Sequence, residues 1–338
     1  MTPFITSRYA LWTLVLLVGA SSGCTDPADP ADPEPDNADH RGDQEATTTQ
    51  PVIFGGASRQ FAGGFNPANA PEGGFGGGAC VATRTPVVFV HGNTVNASFF
   101  AKPSTSGVPS VYATLRAAGY NDCELFGITY LSPTEQASEP LNFHTSTKAN
   151  RIRDFILAVK AYTGQPRVHI LAHSMGVTVA LHGITNGNLW SSIDTFVNVA
   201  GGLKGLSTCL LVGFANPAFP TCGSQNLLHA NTFGFWPDGA VGASNPRTGT
   251  SASVGFRREP QRRPAVRFFT ISGGSADAIV GGDQCRFNAA TAVKSQLDVA
   301  IDHLSTFTNT GAIMNNMLNS ACTGTACCAG YVGSCSNL

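Results

Sequence analysis

A serine hydroxyl becomes an effective nucleophile only when a neighbouring base takes its proton and a third group orients that base. The pattern that meets this need starts at Leu171-Ala172-His173-Ser174-Met175-Gly176, between the apolar runs Val168 to Ala172 and Val177 to Leu181. A sharp turn from strand to helix here would lift Ser174 above a sheet edge. Such a crowded turn needs small residues, supplied by Ala172 and Gly176. An ordinary N-cap serine is the weaker alternative. With a nucleophile on such a turn, the acid and then the base follow it in chain order. Of the eight histidines, only His303 lies late enough. His91 and His173 flank the serine's surroundings, His169 sits in an apolar run, His40 lies in a polar leader, and His144, His182 and His229 precede a suitable acid. Asp277 follows the apolar run Val266 to Ile271, on the loop at a strand's C-terminal end where ligands gather in open α/β sheets. Asp283 lies further from that end, and Asp302 adjoins the base, so both compete less well. The remaining requirement is a pair of donors for an oxyanion: the Met175 amide at the turn, and the Asn93 amide after Phe89-Val90-His91-Gly92.

Positioning these groups takes a scaffold of alternating elements. Pro86 to Val90, Leu125 to Thr129, Val168 to Ala172, Phe196 to Ala200 and Val266 to Ile271 read as strands buried on both faces. Helical spacing predicts helices over Val111 to Ala118, stopped by Gly119, and Arg151 to Thr163, stopped by Gly164. Alternation of this kind predicts an α/β fold: a mostly parallel sheet with right-handed crossovers and helices on both faces. Residues 202–262 break the alternation with Gly, Pro, Asn and aromatics, and read as a long insertion over the active-site edge that builds the substrate site. Residues 51–83, Gly-rich with scattered Phe and Pro, read as an extended segment lying over the domain.

The charged fraction is 12% against an ordinary value of about 25%, and the net charge is −1. Nucleic acid is therefore not an expected partner, because phosphate binding needs a concentrated basic surface. The short cluster Arg257, Arg258, Arg262 and Arg263 reads as a solvated loop. Residues 1–23 read as a signal peptide: Arg8, the apolar run Tyr9 to Ala20, then Ser21, Ser22 and Gly23. Cys24 after Gly23 suits a lipid anchor, although Ser21 stands where such cleavage boxes carry Leu. Residues 24–50, poor in large apolar groups, read as a disordered linker, and 51–338 as the catalytic domain. Ten cysteines in an exported chain point to disulfides: Cys80 with Cys123, and Cys209 with Cys222. The cluster Cys322, Cys327, Cys328 and Cys335 reads as disulfide staples rather than a metal site, with Cys285 unassigned. No cofactor is expected, since no Gly-rich stretch lies between a strand and a helix.

PVVFVHGN, AHSMG and SADAIV resemble the class 2 lipases, bacterial enzymes whose nucleophile turn begins with Ala. The stretches RQFAGGF, LRAAGYNDCELFGITYLS, VKAYTG, PTCGSQN and TFGFWP are similar to extracellular depolymerases of native poly(3-hydroxybutyrate) granules, over about residues 59–330. The resemblance implies an α/β-hydrolase fold with nucleophile, acid and base at Ser174, Asp277 and His303 and oxyanion donors at Asn93 and Met175. It also implies action on a hydrophobic polyester, with triacylglycerols or simple carboxylic esters as the alternative substrates; a secreted or surface-anchored monomer is expected, and a non-catalytic surface-binding module is the remote alternative. Where those depolymerases carry a patch of tyrosines, this chain has Leu210, Leu211, Phe214, Leu227 and Leu228, with Trp236 nearby, and its segment between acid and base is shorter. An apolar patch of this kind suits adsorption to a hydrophobic solid.

Overall fold

The computed structural model describes residues 60–102, 104, 107–142, 145–203, 205–208, 221, 265–287 and 293–338. Contacts divide the chain into Met1–Pro51 and Val52–Leu338, and every described residue lies in the second unit. In chain order the elements are β1 (Gln60–Ala62), β2 (Gly74–Gly77), β3 (Val87–Val90), α1 (Val111–Ala117), β4 (Leu125–Ile128), α2 (Pro133–Gln136), α3 (Ser146–Thr163), β5 (Val168–His173), α4 (Met175–Asn186) and β6 (Ile193–Val199). After the insertion come β7 (Arg267–Ser272), β8 (Val293–Asp298), α5 (Ser305–Thr308), α6 (Gly311–Asn319) and β9 (Ser336–Asn337).

The strands form one sheet in the order β1-β2-β4-β3-β5-β6-β7-β8-β9. From β4 to β8 every pairing is parallel, while β2 meets β4 and β9 meets β8 antiparallel. Alternate residues of the central strands feed two cores. Val88, Val90, Ile170, Phe196 and Phe268 pack with Ile152, Phe155 and Ile156 of α3 and Val177 and Leu181 of α4. Val87, Phe89, Leu171, Val197 and Phe269 pack on the other face with Leu115 of α1 and Ile313, Met314 and Met317 of α6. Burial on both faces is why these strands carry no polar alternation. Each such side chain removed from water contributes roughly 1.5–3 kcal/mol.

Two local readings need correction, and one strand went unread. From residue 60 on, the Gly-rich segment read as lying over the domain instead joins the sheet: β1 and β2 extend its edge. At Gly76 and Gly77, φ is 130° and 83°, backbone that glycine adopts at least cost, so composition hid a strand. Helix α3 starts at Ser146, ahead of the apolar stripe, because the Thr145 hydroxyl caps the Lys148 amide at 3.3 Å. The polar first turn is thus held by the cap, together with the buried Lys148, which pairs with Glu135 at 2.7 Å. Strand β8, with Ser295 and Leu297 turned inward and mostly polar neighbours, lacks an apolar run and so gave no strand signal.

Disulfides join Cys80 to Cys123, Cys322 to Cys327 and Cys328 to Cys335, and Cys285 is a buried free thiol. The first ties the segment after β2 to the turn before β4. The other two staple the C-terminal segment that ends in β9. The expected pair Cys209 and Cys222, the linker, Cys24 and nearly all of the insertion lie outside the described residues.

Candidate active site

Strand β5 delivers Ser174 at its C-terminal end, with φ 54° and ψ −126°, a conformation that L residues rarely adopt and that persists only where the surroundings enforce it. The Ser174 amide donates to the Val199 carbonyl at 2.9 Å, and the Ser174 carbonyl accepts from the Val177 amide at 3.1 Å. The turn is therefore pinned to β6 on one side and to α4 on the other. Close approach fixes the next requirement: a Cβ on Gly176 would fall on the carbonyl oxygens of Val90 and His91. Gly176→Ala is expected to push α4 off β3 and cost about 3 kcal/mol, read as a lower urea midpoint with an unchanged slope.

The three chain-distant groups meet there. Ser174 Oγ lies 2.8 Å from His303 Nε2, and His303 Nδ1 lies 2.8 Å from Asp277 Oδ2. A carboxylate only accepts, so the imidazole proton sits on Nδ1 and Nε2 is free to accept from the serine hydroxyl. Asp277 follows the short turn Gly274–Ala276 beyond β7. Its Oδ1 accepts from the amides of Ile279 and Val280 at 2.9 and 3.0 Å. Burial alone would raise its pKa, but the hydrogen bond and charge of His303 and the two amides outweigh burial and hold it below the ordinary carboxylate value. Asp302, weighed as an alternative acid, does something else: its Oδ1 accepts from the amides of Leu304 and Ser305 at 3.1 and 3.0 Å, shaping the loop that presents His303. The side chain of Asp283 lies outside the described residues.

Asn93 and Met175 both border the cavity that contains Ser174. Met175 opens α4, so its amide has no intrahelical acceptor. The Asn93 side chain is occupied: Oδ1 accepts from Thr94 N and Asn142 Nδ2 at 2.9 and 2.8 Å, and Nδ2 donates to the Glu139 carbonyl at 3.0 Å. These bonds fix its loop and leave the backbone amide as the group that can serve an oxyanion. Gly92 lets this loop approach the serine, since a Cβ there would come within 3.0 Å of Ser174 Cβ.

The cavity has a volume of about 410 Å³. Val95, Leu206, Ile279 and Leu304 line it together with the triad serine and histidine. None of these four was singled out from sequence, although Val95 and Ile279 each sit just past an expected site residue and could have been found that way. The expected substrate residues Leu210, Leu211, Phe214, Leu227, Leu228 and Trp236 lie outside the described residues. Of the other histidines, His169 lies earlier on β5 with Nδ1 3.3 Å from Asp194 Oδ2, and His182 is buried on α4.

His91 is buried and held neutral by its partners. Nδ1–H donates to the Gly92 carbonyl at 2.8 Å, and Nε2 accepts from the Tyr130 amide at 3.2 Å, leaving no room for a second proton. Burial lowers its pKa from 6.5 to about 4, against a smaller raising effect of the Gly92 bond. Burial, then the charge of His303, lowers that of His173 to about 3. Both folded values lie below the unfolded one, so the unfolded chain binds protons first as pH falls. Their cost is absent above about pH 6.5 and grows from there towards pH 4 and then 3, reaching about 3 kcal/mol from His91 alone by pH 4. Asp277 acts in the same direction, its contribution being lost as pH falls through its depressed pKa. Thermal melting at pH 7, 5.5 and 4.5 is therefore expected to show a steadily falling midpoint.

A doubly flanked, mostly parallel sheet with a serine on a strained strand-to-helix turn, an acid after a later strand and a histidine after the last parallel strand defines the α/β-hydrolase fold. An activated hydroxyl on a cavity bordered by Asn93 and Met175 is an arrangement that can attack an acyl carbon and form a covalent acyl intermediate. Residues 84–233 match the sequence profile of the lipase (class 2) family. No curated protein matches the chain in sequence. Solved structures similar to it include lipase B of Aspergillus fumigatus, at 13% identity and TM-score 0.45 over 71% of this chain and 54% of that one. The chain thus spans about half the length of that lipase. Others are the mature form of a Bacillus licheniformis lipase, at 12% identity and TM-score 0.42 over 68% and 89%, and a Bacillus subtilis carboxylesterase, at 9% identity and TM-score 0.36 over 71% and 85%.

Proposed function

We propose that the chain is an exported serine hydrolase that cleaves ester bonds of a hydrophobic polyester, poly(3-hydroxybutyrate) or a related polyhydroxyalkanoate. The observation that carries the hydrolytic part is the unbroken line of hydrogen bonds from Ser174 Oγ through His303 to Asp277, each 2.8 Å long. As Ser174 Oγ attacks the ester carbonyl carbon, its proton passes to His303 Nε2, and Asp277 stabilises the resulting imidazolium. The carbonyl oxygen becomes an oxyanion held by the Met175 and Asn93 amides, each such donor contributing about 3 kcal/mol to the barrier reduction. Collapse breaks the bond to the leaving alcohol, which takes the proton from Nε2. A water then repeats the sequence on the acyl-enzyme and frees the acid.

The polyester part is supported by the depolymerase-like stretches and by the apolar lining from Val95, Leu206, Ile279 and Leu304. The three disulfides among the described residues suit an oxidising compartment and so support export, to the medium or to the cell surface through a lipid on Cys24, with the enzyme acting as a monomer. The match to the lipase profile favours a second reading, a triacylglycerol lipase or carboxylesterase. Rates on short-chain nitrophenyl esters, a triacylglycerol emulsion and amorphous poly(3-hydroxybutyrate) separate the two. The polyester reading expects hydroxy acid release to exceed fatty acid release at equal substrate surface; the reverse order favours the lipase.

A further inference from the structure

His173 takes no part in the proton transfers above, yet it adjoins Ser174 and reaches both His303 and the loop that carries Asn93. It ends β5 and is bonded directly to Ser174. Its Nε2 lies 3.1 Å from the main-chain carbonyl oxygen of His303. A carbonyl only accepts, so the ring carries its proton on Nε2. On the opposite side Nδ1 faces Gly92, where a Cβ would come within 2.9 Å of it, so the ring also closes against the loop carrying Asn93. The side chain is 1% exposed and packs near Phe99 and Phe307, with ring centres 5.8 and 5.2 Å away, and 4.9 Å from the ring of His303. Nδ1 is buried with no hydrogen-bond partner among the described residues. A buried nitrogen without a partner carries a desolvation cost that a leucine of similar size would avoid, so the imidazole needs a reason to be there. The Nε2 donor to His303 supplies one.

We propose that His173 is a positioning residue for the base: its Nε2–H holds the main chain of His303 while Asp277 holds the ring, so the imidazole is fixed at two points in line with Ser174. Because burial and the neighbouring His303 keep His173 from taking a second proton until about pH 3, the donor adds no positive charge beside the imidazolium formed during attack. The inference rests on the hydrolytic reading.

The test compares kcat and KM for p-nitrophenyl butyrate in the wild type, His173→Gln and His173→Leu. A glutamine can present an amide N–H at the reach of Nε2, whereas leucine fills the space without donating. His173→Leu is expected to lose about 10- to 100-fold in kcat with KM within about twofold, and His173→Gln to stay within about fivefold of the wild type. Equal kcat in all three proteins, equal losses in both variants, or a loss borne by KM would overturn the proposal. Should the leucine variant not fold, nitrogen-15 spectra of the wild-type histidines between pH 5 and 7 decide: a neutral His173 protonated on Nε2 is expected, and a proton on Nδ1 overturns it. A wild type inert towards the ester would remove the hydrolytic reading and this inference together, an outcome distinct from an active wild type matched by its leucine variant.

Discussion

Ser174→Ala is expected to lower kcat for hydrolysis of a soluble ester by about 10⁴- to 10⁶-fold. The substitution removes one oxygen and one hydrogen bond, that to His303 Nε2. The strained backbone at φ 54° is set by the Val199 and Val177 bonds, not by the hydroxyl, so unfolding stability should change by only about 1 kcal/mol. A loss of that size in rate with so little loss in stability is what a nucleophile predicts. A capping serine predicts the opposite balance. Residual hydrolysis near the wild-type rate would exclude an acyl-enzyme at this position.

Asp277→Asn should cost about 10⁴-fold in kcat, for a reason specific to this site. The amides of Ile279 and Val280 both point at Oδ1, so an asparagine must keep its carbonyl oxygen there. Its NH₂ then faces His303 Nδ1 and donates to it. That forces the imidazole proton onto Nε2, where it meets the Ser174 hydroxyl, and the base can no longer accept. Asp302→Asn, by contrast, should stay close to the wild-type rate, because an amide oxygen can still accept from Leu304 and Ser305. Steady-state rates of the two variants on one soluble ester distinguish the orienting acid from the loop-forming one. Equal losses would mean that the assignment of Asp277 is mistaken.

The serine, acid and histidine that meet in the structure could be read from sequence because each sits where a strong local rule applies. Ser174 lies between two apolar runs with small residues at Ala172 and Gly176. Asp277 and His303 are constrained by chain order. The fold was visible wherever strands are buried on both faces, as in Val87–Val90 and Val168–His173. It was hidden where a strand obeys no hydrophobic pattern: glycine with positive φ makes up much of β2, and β8 carries Lys294 and Gln296 beside its inward Ser295 and Leu297. The roles that Asp302 and His173 do have stayed hidden for a related reason. Their roles are hydrogen bonds to main-chain groups, and a donor or acceptor on a backbone leaves no signature in residue type. Of the apolar residues around the serine, Val95, Ile279 and Leu304 sit within two positions of an expected site residue, whereas Leu206 reaches the cavity only through the topology.

The central claim is that His303 activates Ser174 in the folded protein. Incubating the wild type with a fluorophosphonate and mapping the adduct by mass spectrometry tests it most directly. The account predicts a single stoichiometric phosphonyl adduct on Ser174 that His303→Ala abolishes. An unlabelled wild type, or an adduct on any other residue, would contradict it.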